Sequence, residues 1–141
     1  FGARNWQDGV KETGRYRTIN RQKHDVKTLK ENLVGNTLEH KVFVAYMDLL
    51  KKRCLLAAFH PLASQRIIDM GAPIFAVLRT AQDGQSEVLA IHNVTNQTIT
   101  INIDDKDISN KDWYFDKQIY ELNQPVQLRA YQVLWLEYNG K

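Results

Sequence analysis

Three arginines fall within nine residues in the stretch Thr13-Gly14-Arg15-Tyr16-Arg17-Thr18-Ile19-Asn20-Arg21. Cations at these spacings share neither one helix face nor one strand face, so the stretch reads as a loop between a glycine and a following helix. Guanidinium is a rigid fork of donors, and a loop of such groups suits an anionic or hydroxyl-rich ligand. A solvated loop has the same composition, so both readings stay open at this level.

The other candidate groups are weaker. His24, His40, His60 and His92 have no metal-ligand spacing, and no metal or other cofactor is expected. His60, before Pro61, reads as a structural hydrogen-bonding residue. Asp104, Asp105 and Asp107 lack the glycine and terminal glutamate of a calcium loop and read as a solvated acidic turn. Asn93-Val94-Thr95 and Asn96-Gln97-Thr98 fit the glycosylation sequon but read as turn residues. Trp113, Tyr114 and Phe115, with Trp135, can build a sugar-stacking face or fill a core, and the core is the preferred reading. There is no P-loop, dinucleotide fingerprint or Ser-His-Asp order. No complete active site is visible.

The 141 residues suffice for one core, or for a small domain with an appendage. With 43% hydrophobic and 25% charged residues the chain has an ordinary globular composition, and it has no apolar run of about 18 residues to span a membrane. The opening Phe1-Gly2-Ala3-Arg4-Asn5-Trp6 has no Met and no signal-peptide layout, so the segment is expected to have been cut from something larger. A single cysteine, Cys54, excludes an internal disulfide, suits a reducing, cytoplasmic setting, and reads as a small buried group at a helix end. Residues 1–61 carry twelve Lys and Arg against six Asp and Glu, whereas residues 62–141 carry seven against ten. The basic residues are interleaved with acidic ones and match no nucleic-acid motif, so neither nucleic acid nor membrane is expected as a partner.

The elements that must hold the arginine loop follow from periodicity. Residues 1–22 show no apolar period and read as extended. Asp25 caps a helix over Val26–Val34 that ends at Gly35. Asn36-Thr37-Leu38-Glu39 has the form of a capping box for a helix reaching about Arg53. The apolar residues of this second helix cover an arc of roughly 200°, about twice the usual stripe, so it calls for partners on two sides.

Beyond Pro61 the period changes. Strands are predicted over Arg66–Asp69, Ile74–Arg79, Glu87–His92, Thr98–Ile103, Trp113–Phe115, Gln118–Tyr120, Val126–Leu128 and Val133–Glu137, with Asp104–Lys111 as a loop. Short strands at this rhythm predict an antiparallel sandwich. The predicted class is therefore α+β, with residues 1–61 as loop and helices and residues 62–141 as an all-β domain.

Taken in order, Gly2-Ala3-Arg4-Asn5, Gly9-Val10, Thr13 to Arg21, Ala58-Phe59-His60-Pro61, His92-Asn93-Val94-Thr95 and Tyr131 to Glu137 resemble the C-terminal part of sucrose phosphorylase-like enzymes of the α-amylase superfamily. The resemblance implies that residues 1–61 end a (β/α)8 barrel and that residues 62–141 form the β-sandwich closing such chains. It implies a parent enzyme that transfers a glucosyl group with retention, from sucrose or a related α-glucoside to phosphate, giving α-glucose 1-phosphate. The reacting carboxylates of the family lie upstream of the matching region, so the fragment alone is expected to be inactive. By match to the family's Arg-x-Ile-Asn-Arg pattern, Arg17 would hold the glucosyl unit, while Asn20 and Arg21 would fix the loop.

Where the family usually reads Arg-Asn-Asp, this chain reads Arg4-Asn5-Trp6. The departure leaves glucosylglycerate and sucrose 6-phosphate phosphorylases open beside sucrose enzymes. The expected partners are the glucosyl donor, phosphate and the missing barrel, with self-association of the isolated fragment. The alternative is a stand-alone carbohydrate- or nucleic-acid-binding β module.

Overall fold

The computed structural model describes residues 2–140 and divides the chain into two compact units, parted between Lys52 and Arg53. In the first, residues 7–20 are not extended. Gln7–Thr13 forms a helix, α1, and Tyr16–Asn20 a single 3-10 turn. Extended structure was expected because no apolar period is present. A helix this short needs none, since local hydrogen bonds and a left-handed Gly14 at its end (φ +65°) complete it.

Helix α2, Val26–Val34, starts where Asp25 predicts it. The Asp25 carboxylate accepts the Thr28 N–H at 3.0 Å and the Thr28 hydroxyl at 3.2 Å, which holds its carboxyl below the usual carboxylate range. Helix α3 covers Leu38–Leu55. Its cap is Thr37 rather than Asn36: the Thr37 hydroxyl accepts the His40 N–H at 3.0 Å and donates to the Asn32 carbonyl at 2.5 Å. The pairing of cap and third helical residue is thus Thr37 with His40, one position along from the predicted box. The His40 Nδ1 lies 2.6 Å from the Leu33 carbonyl oxygen and ties the end of α2 to the start of α3.

Among the described residues of this unit Gly9 alone is buried. The wide apolar arc of α3 stays exposed: Tyr46 is 61% accessible, and Val42, Phe43 and Leu49 lie open beside it. Cys54, near the end of α3, is also exposed, which corrects the expectation of a buried thiol.

The second unit opens with the last residues of α3 and a 3-10 turn at Ala57–Phe59, and is built mainly of strands. These are β1 (Ser64–Ile68), β2 (Ile74–Thr80), β3 (Ser86–Asn93), β4 (Ile99–Ile101), β5 (Trp113–Phe115), β6 (Gln118–Tyr120), β7 (Val126–Leu128) and β8 (Val133–Asn139). Six of them form one antiparallel sheet in the order β1-β2-β3-β8-β5-β6, and β4 pairs with β7 in a small second sheet.

Strand β3 is central, and Val88, Leu89, Ala90 and Ile91 are buried in succession, as an apolar run covered on both faces requires. In β4 and just after it, Ile101 and Ile103 point into the core while Thr100 and Asn102 face water. Ile68, Ala76, Leu89, Ile91, Leu128, Leu134 and Leu136 share one core with Trp113. Residues 104–111 are not wholly loop. Asp105 caps a single helical turn, α4 (Lys106–Ser109), which buries Ile108 and escapes a periodicity reading because it is only four residues long. Among the described residues no helix is long and apolar enough to cross a membrane.

Candidate functional site

The arginine loop is fixed from both sides. The Thr13 and Thr18 hydroxyls lie 2.9 Å apart, and the Thr13 hydroxyl also donates to the Gly9 carbonyl at 2.6 Å, so α1 and the 3-10 turn are locked together. On the other side the Trp6 N–H donates to the Ile19 carbonyl at 2.8 Å and clamps the first residues to the end of the turn. Gly9 is obligatory in this arrangement, because a Cβ there would overlap the Trp6 ring. The Trp6 ring packs on α1 at Gly9.

Within this frame Arg15, Arg17 and Arg21 are exposed, and among the described residues none of their guanidinium groups has a partner. A cation held on a fixed turn and left unpaired is free to meet an anionic or hydroxylated ligand. Beside the turn, Arg4, Asn5, Ile19, Asn20, Gln22 and His24 line an open, mostly polar cleft of about 400 Å³ together with Gly2 and Ala3. Arg17 is not among its lining residues. Spacing drew attention to Arg15, Arg17 and Arg21, and the resemblance to Arg17, Asn20 and Arg21; the contribution of Arg4, Asn5, Gln22 and His24 arises from the clamp at Trp6 and Ile19, which no local pattern shows.

The other candidates resolve one by one. Trp113 is fully buried, and its Nε1–H donates to the Ile108 carbonyl at 2.7 Å, so it is core and the four-aromatic sugar platform does not form. His60 is structural: its Nδ1 accepts the Leu62 N–H at 3.2 Å, and its carbonyl accepts from Arg79 at 2.8 Å. Asp105 serves as a helix cap and pairs with Arg66 at 2.7 Å, which together hold its carboxyl low. Among the described residues no cluster of three His, Cys, Asp or Glu is placed to hold a metal.

Asn93 is more than a turn former. It is 3% accessible, and its Nδ2 donates to the carbonyls of Gln97 at 2.7 Å and Arg129 at 2.9 Å, with Leu128 at 3.3 Å. Its Oδ1 accepts the N–H and hydroxyl of Thr95 at 2.9 and 2.8 Å. The side chain joins the ends of three strands, a role invisible in the sequence because its acceptors at 128 and 129 are so distant along the chain.

What the fold and loop define is a small antiparallel β unit preceded by helices that carry an exposed arginine turn but almost no core of their own. No protein-family model matches the chain. Over 97 residues, 68% of the chain, it is 38% identical to a glucosylglycerate phosphorylase of Spirochaeta thermophila, covering 16% of that protein. Over 138 residues, 96% of the chain, it is 30% identical to a glucosylglycerate phosphorylase of Allomeiothermus silvanus, covering 22% of that protein. The chain therefore spans about a fifth of the length of the curated relatives it matches. Both of these relatives are phosphorylases, and neither is named for sucrose.

Proposed function

We propose that this chain is the C-terminal part of a retaining, glucosyl-transferring phosphorylase of the α-amylase superfamily, and that its parent acts on glucosylglycerate rather than sucrose. The observation that carries the reading is the helical unit. Residues 2–52 fold around Gly9 as their single buried residue, while α3 exposes Val42, Phe43, Tyr46 and Leu49. A set of helices with this little burial does not offset its own ordering entropy, so it belongs to a larger body. The relatives are long enough to supply a (β/α)8 barrel of roughly 250 residues, and the names they carry support the choice of substrate.

In this reading residues 1–61 close the barrel and residues 62–141 form the β domain behind it. The reacting carboxylates lie in the upstream part, so the fragment by itself transfers no glucose. Arg17 meets the glucosyl unit with its unpaired guanidinium, two donors of the fork reaching adjacent hydroxyls. The exposed free thiol of Cys54 suits a reducing, cytoplasmic setting. Separated from the barrel, the fragment self-associates through the open face of α3.

The test is phosphorolysis by the full-length parent. Purified parent should release glucose 1-phosphate from glucosylglycerate and phosphate, and much less from sucrose. Arg17→Ala should lower turnover by roughly a hundredfold, the usual effect of removing one well-placed donor to the reacting unit. Equal rates on sucrose would refute the substrate assignment, and an unaffected Arg17→Ala enzyme would remove the role given to that residue.

A further inference from the structure

Strands β5 and β8 are joined at a single pair, Tyr114 with Glu137. Past that pair the two segments part. There Asn110, Lys111, Asp112, Tyr114, Tyr138 and Asn139 line an open, mostly polar pocket of about 400 Å³, a size within the range of small-molecule sites. The surroundings of this pocket are fixed. Asn110 closes α4, and the Lys111 N–H donates to the Ile108 carbonyl at 3.2 Å. The Lys111 ammonium pairs with Glu87 and lies 5.0 Å from the centre of the Tyr138 ring. That ring packs in turn on the buried Trp113, with centroids 6.0 Å apart. The remaining polar groups are left over. Among the described residues, the side chains of Asn110, Asp112, Tyr114 and Asn139 and the hydroxyl of Tyr138 make no hydrogen bond or ion pair. Of the aromatic run 113–115, Trp113 goes to the core while the half-buried Tyr114 stays at this pocket.

We propose that this pocket binds a neutral sugar through one pyranose unit. All six residues belong to the β unit, so the site stands whether or not the parent is a phosphorylase. The chemistry of the wall selects the ligand class. Glu87 neutralises Lys111, which leaves the Asp112 carboxylate as the uncompensated charge and disfavours an anion. A metal ion lacks ligands, because Asp112 is the one carboxylate among the lining residues. An organic cation would meet the Lys111 ammonium, which already lies over the Tyr138 ring. An apolar ligand would cover the Asp112 carboxylate and two amides without giving them partners. A polyol meets each condition. Its hydroxyls donate to the Asp112 carboxylate in charge-assisted bonds, and they both donate to and accept from the amides of Asn110 and Asn139. The C–H face of a pyranose is apolar and matches the aromatic bodies of Tyr114 and Tyr138, whose hydroxyls add polar tips.

The test is fluorine NMR on the full-length parent labelled with 3-fluorotyrosine, titrated with glucose, galactose and maltose. Single Tyr→Phe substitutions assign the signals of Tyr114, Tyr131 and Tyr138. Tyr131 lies in the same unit but outside the pocket and is 67% accessible, so it reports any general effect of the sugar. Binding predicts that the Tyr114 and Tyr138 signals shift and saturate with at least one sugar while Tyr131 stays in place. Asp112→Ala, at an exposed position, should raise the half-saturating concentration about tenfold, as loss of a hydrogen bond to a charged group does. Asn139→Ala should raise it several-fold by the same reasoning. No saturable shift of Tyr114 with any of the three sugars would overturn the inference. So would saturation by sodium phosphate or choline chloride in place of sugar, which would make the pocket an anion or cation site. Sugar-dependent shifts unaltered in both variants would put the sugar elsewhere on the protein and would overturn it as well.

Discussion

The indole N–H of Trp113 donates to the carbonyl oxygen of Ile108 at 2.7 Å, and both side chains are fully buried. This bond ties the single turn of α4 to the sheet through β5 and takes the largest aromatic residue of the region out of any ligand surface. Trp113→Phe removes one bond to that carbonyl, which keeps the Lys111 N–H at 3.2 Å, and is expected to cost about 1 kcal/mol. Trp113→Ala should cost about 3–5 kcal/mol through the cavity it leaves. Urea unfolding at constant m-value reads both.

Asn93 predicts a second stability effect. Asn93→Ala removes the amide bonds to the carbonyls at 97 and 129 and takes the acceptor from the Thr95 N–H, and should cost about 2 kcal/mol. Asn93→Asp should be worse at neutral pH, because a carboxylate oxygen would then face carbonyl oxygens. A midpoint for Asn93→Asp equal to that of the native protein would contradict this network. In a glycosylating host, mass mapping should find no glycan on Asn93, whose amide nitrogen is occupied.

His92 gives a pH dependence. Burial lowers its pKa from the ordinary 6.5, since the charged ring is poorly solvated beside Phe75 and Trp135. Its Nε2 also lies 3.4 Å from the Trp135 Nε1, a long contact in which the indole donates and the neutral ring accepts. The unfolded chain therefore takes up the proton first as pH falls. The stability held by neutral His92 is complete above about 6.5, and is lost as pH drops from there through the folded-state pKa. His92→Phe should flatten that part of the stability profile, measured by denaturation at a series of pH values. An unchanged slope would assign the dependence to other groups.

The helical unit should not survive alone. A peptide of residues 1–52 is expected to show little helix by circular dichroism in water, because its helices are short or lack a buried face. Stable, cooperative helical melting of this peptide would contradict the view that it needs a larger body.

Much of the β unit could be read in the residues. The alternation of Ile99, Ile101 and Ile103 and the unbroken run from Val88 to Ile91 each state which faces are covered, since strand side chains alternate with period two. The Asp25 cap was legible for the same local reason. Local chemistry leaves the start of α3 open by one residue, because Asn36 and Thr37 are both competent caps and only the bond to Asn32 selects Thr37. The helix at Gln7–Thr13 leaves no periodic signal, because Trp6 packing over Gly9, rather than any apolar stripe, supports it.

Of the candidate site, residue type singled out Arg15, Arg17 and Arg21, and the resemblance carried by the order of short motifs picked Arg17 among them. Sequence by itself thus determined the two longer helices, most of the strands and the likeness to phosphorylases, because each depends on local chemistry or on order along the chain. Tertiary structure alone decided that Trp113 is core, that Asn93 joins three strand ends, and that a polar cleft forms beside the arginine turn. It also parted β5 from β8 past Tyr114 and so opened the pocket at Asp112. These depend on which distant residues meet, and that is set by burial summed over the whole fold rather than by any one stretch.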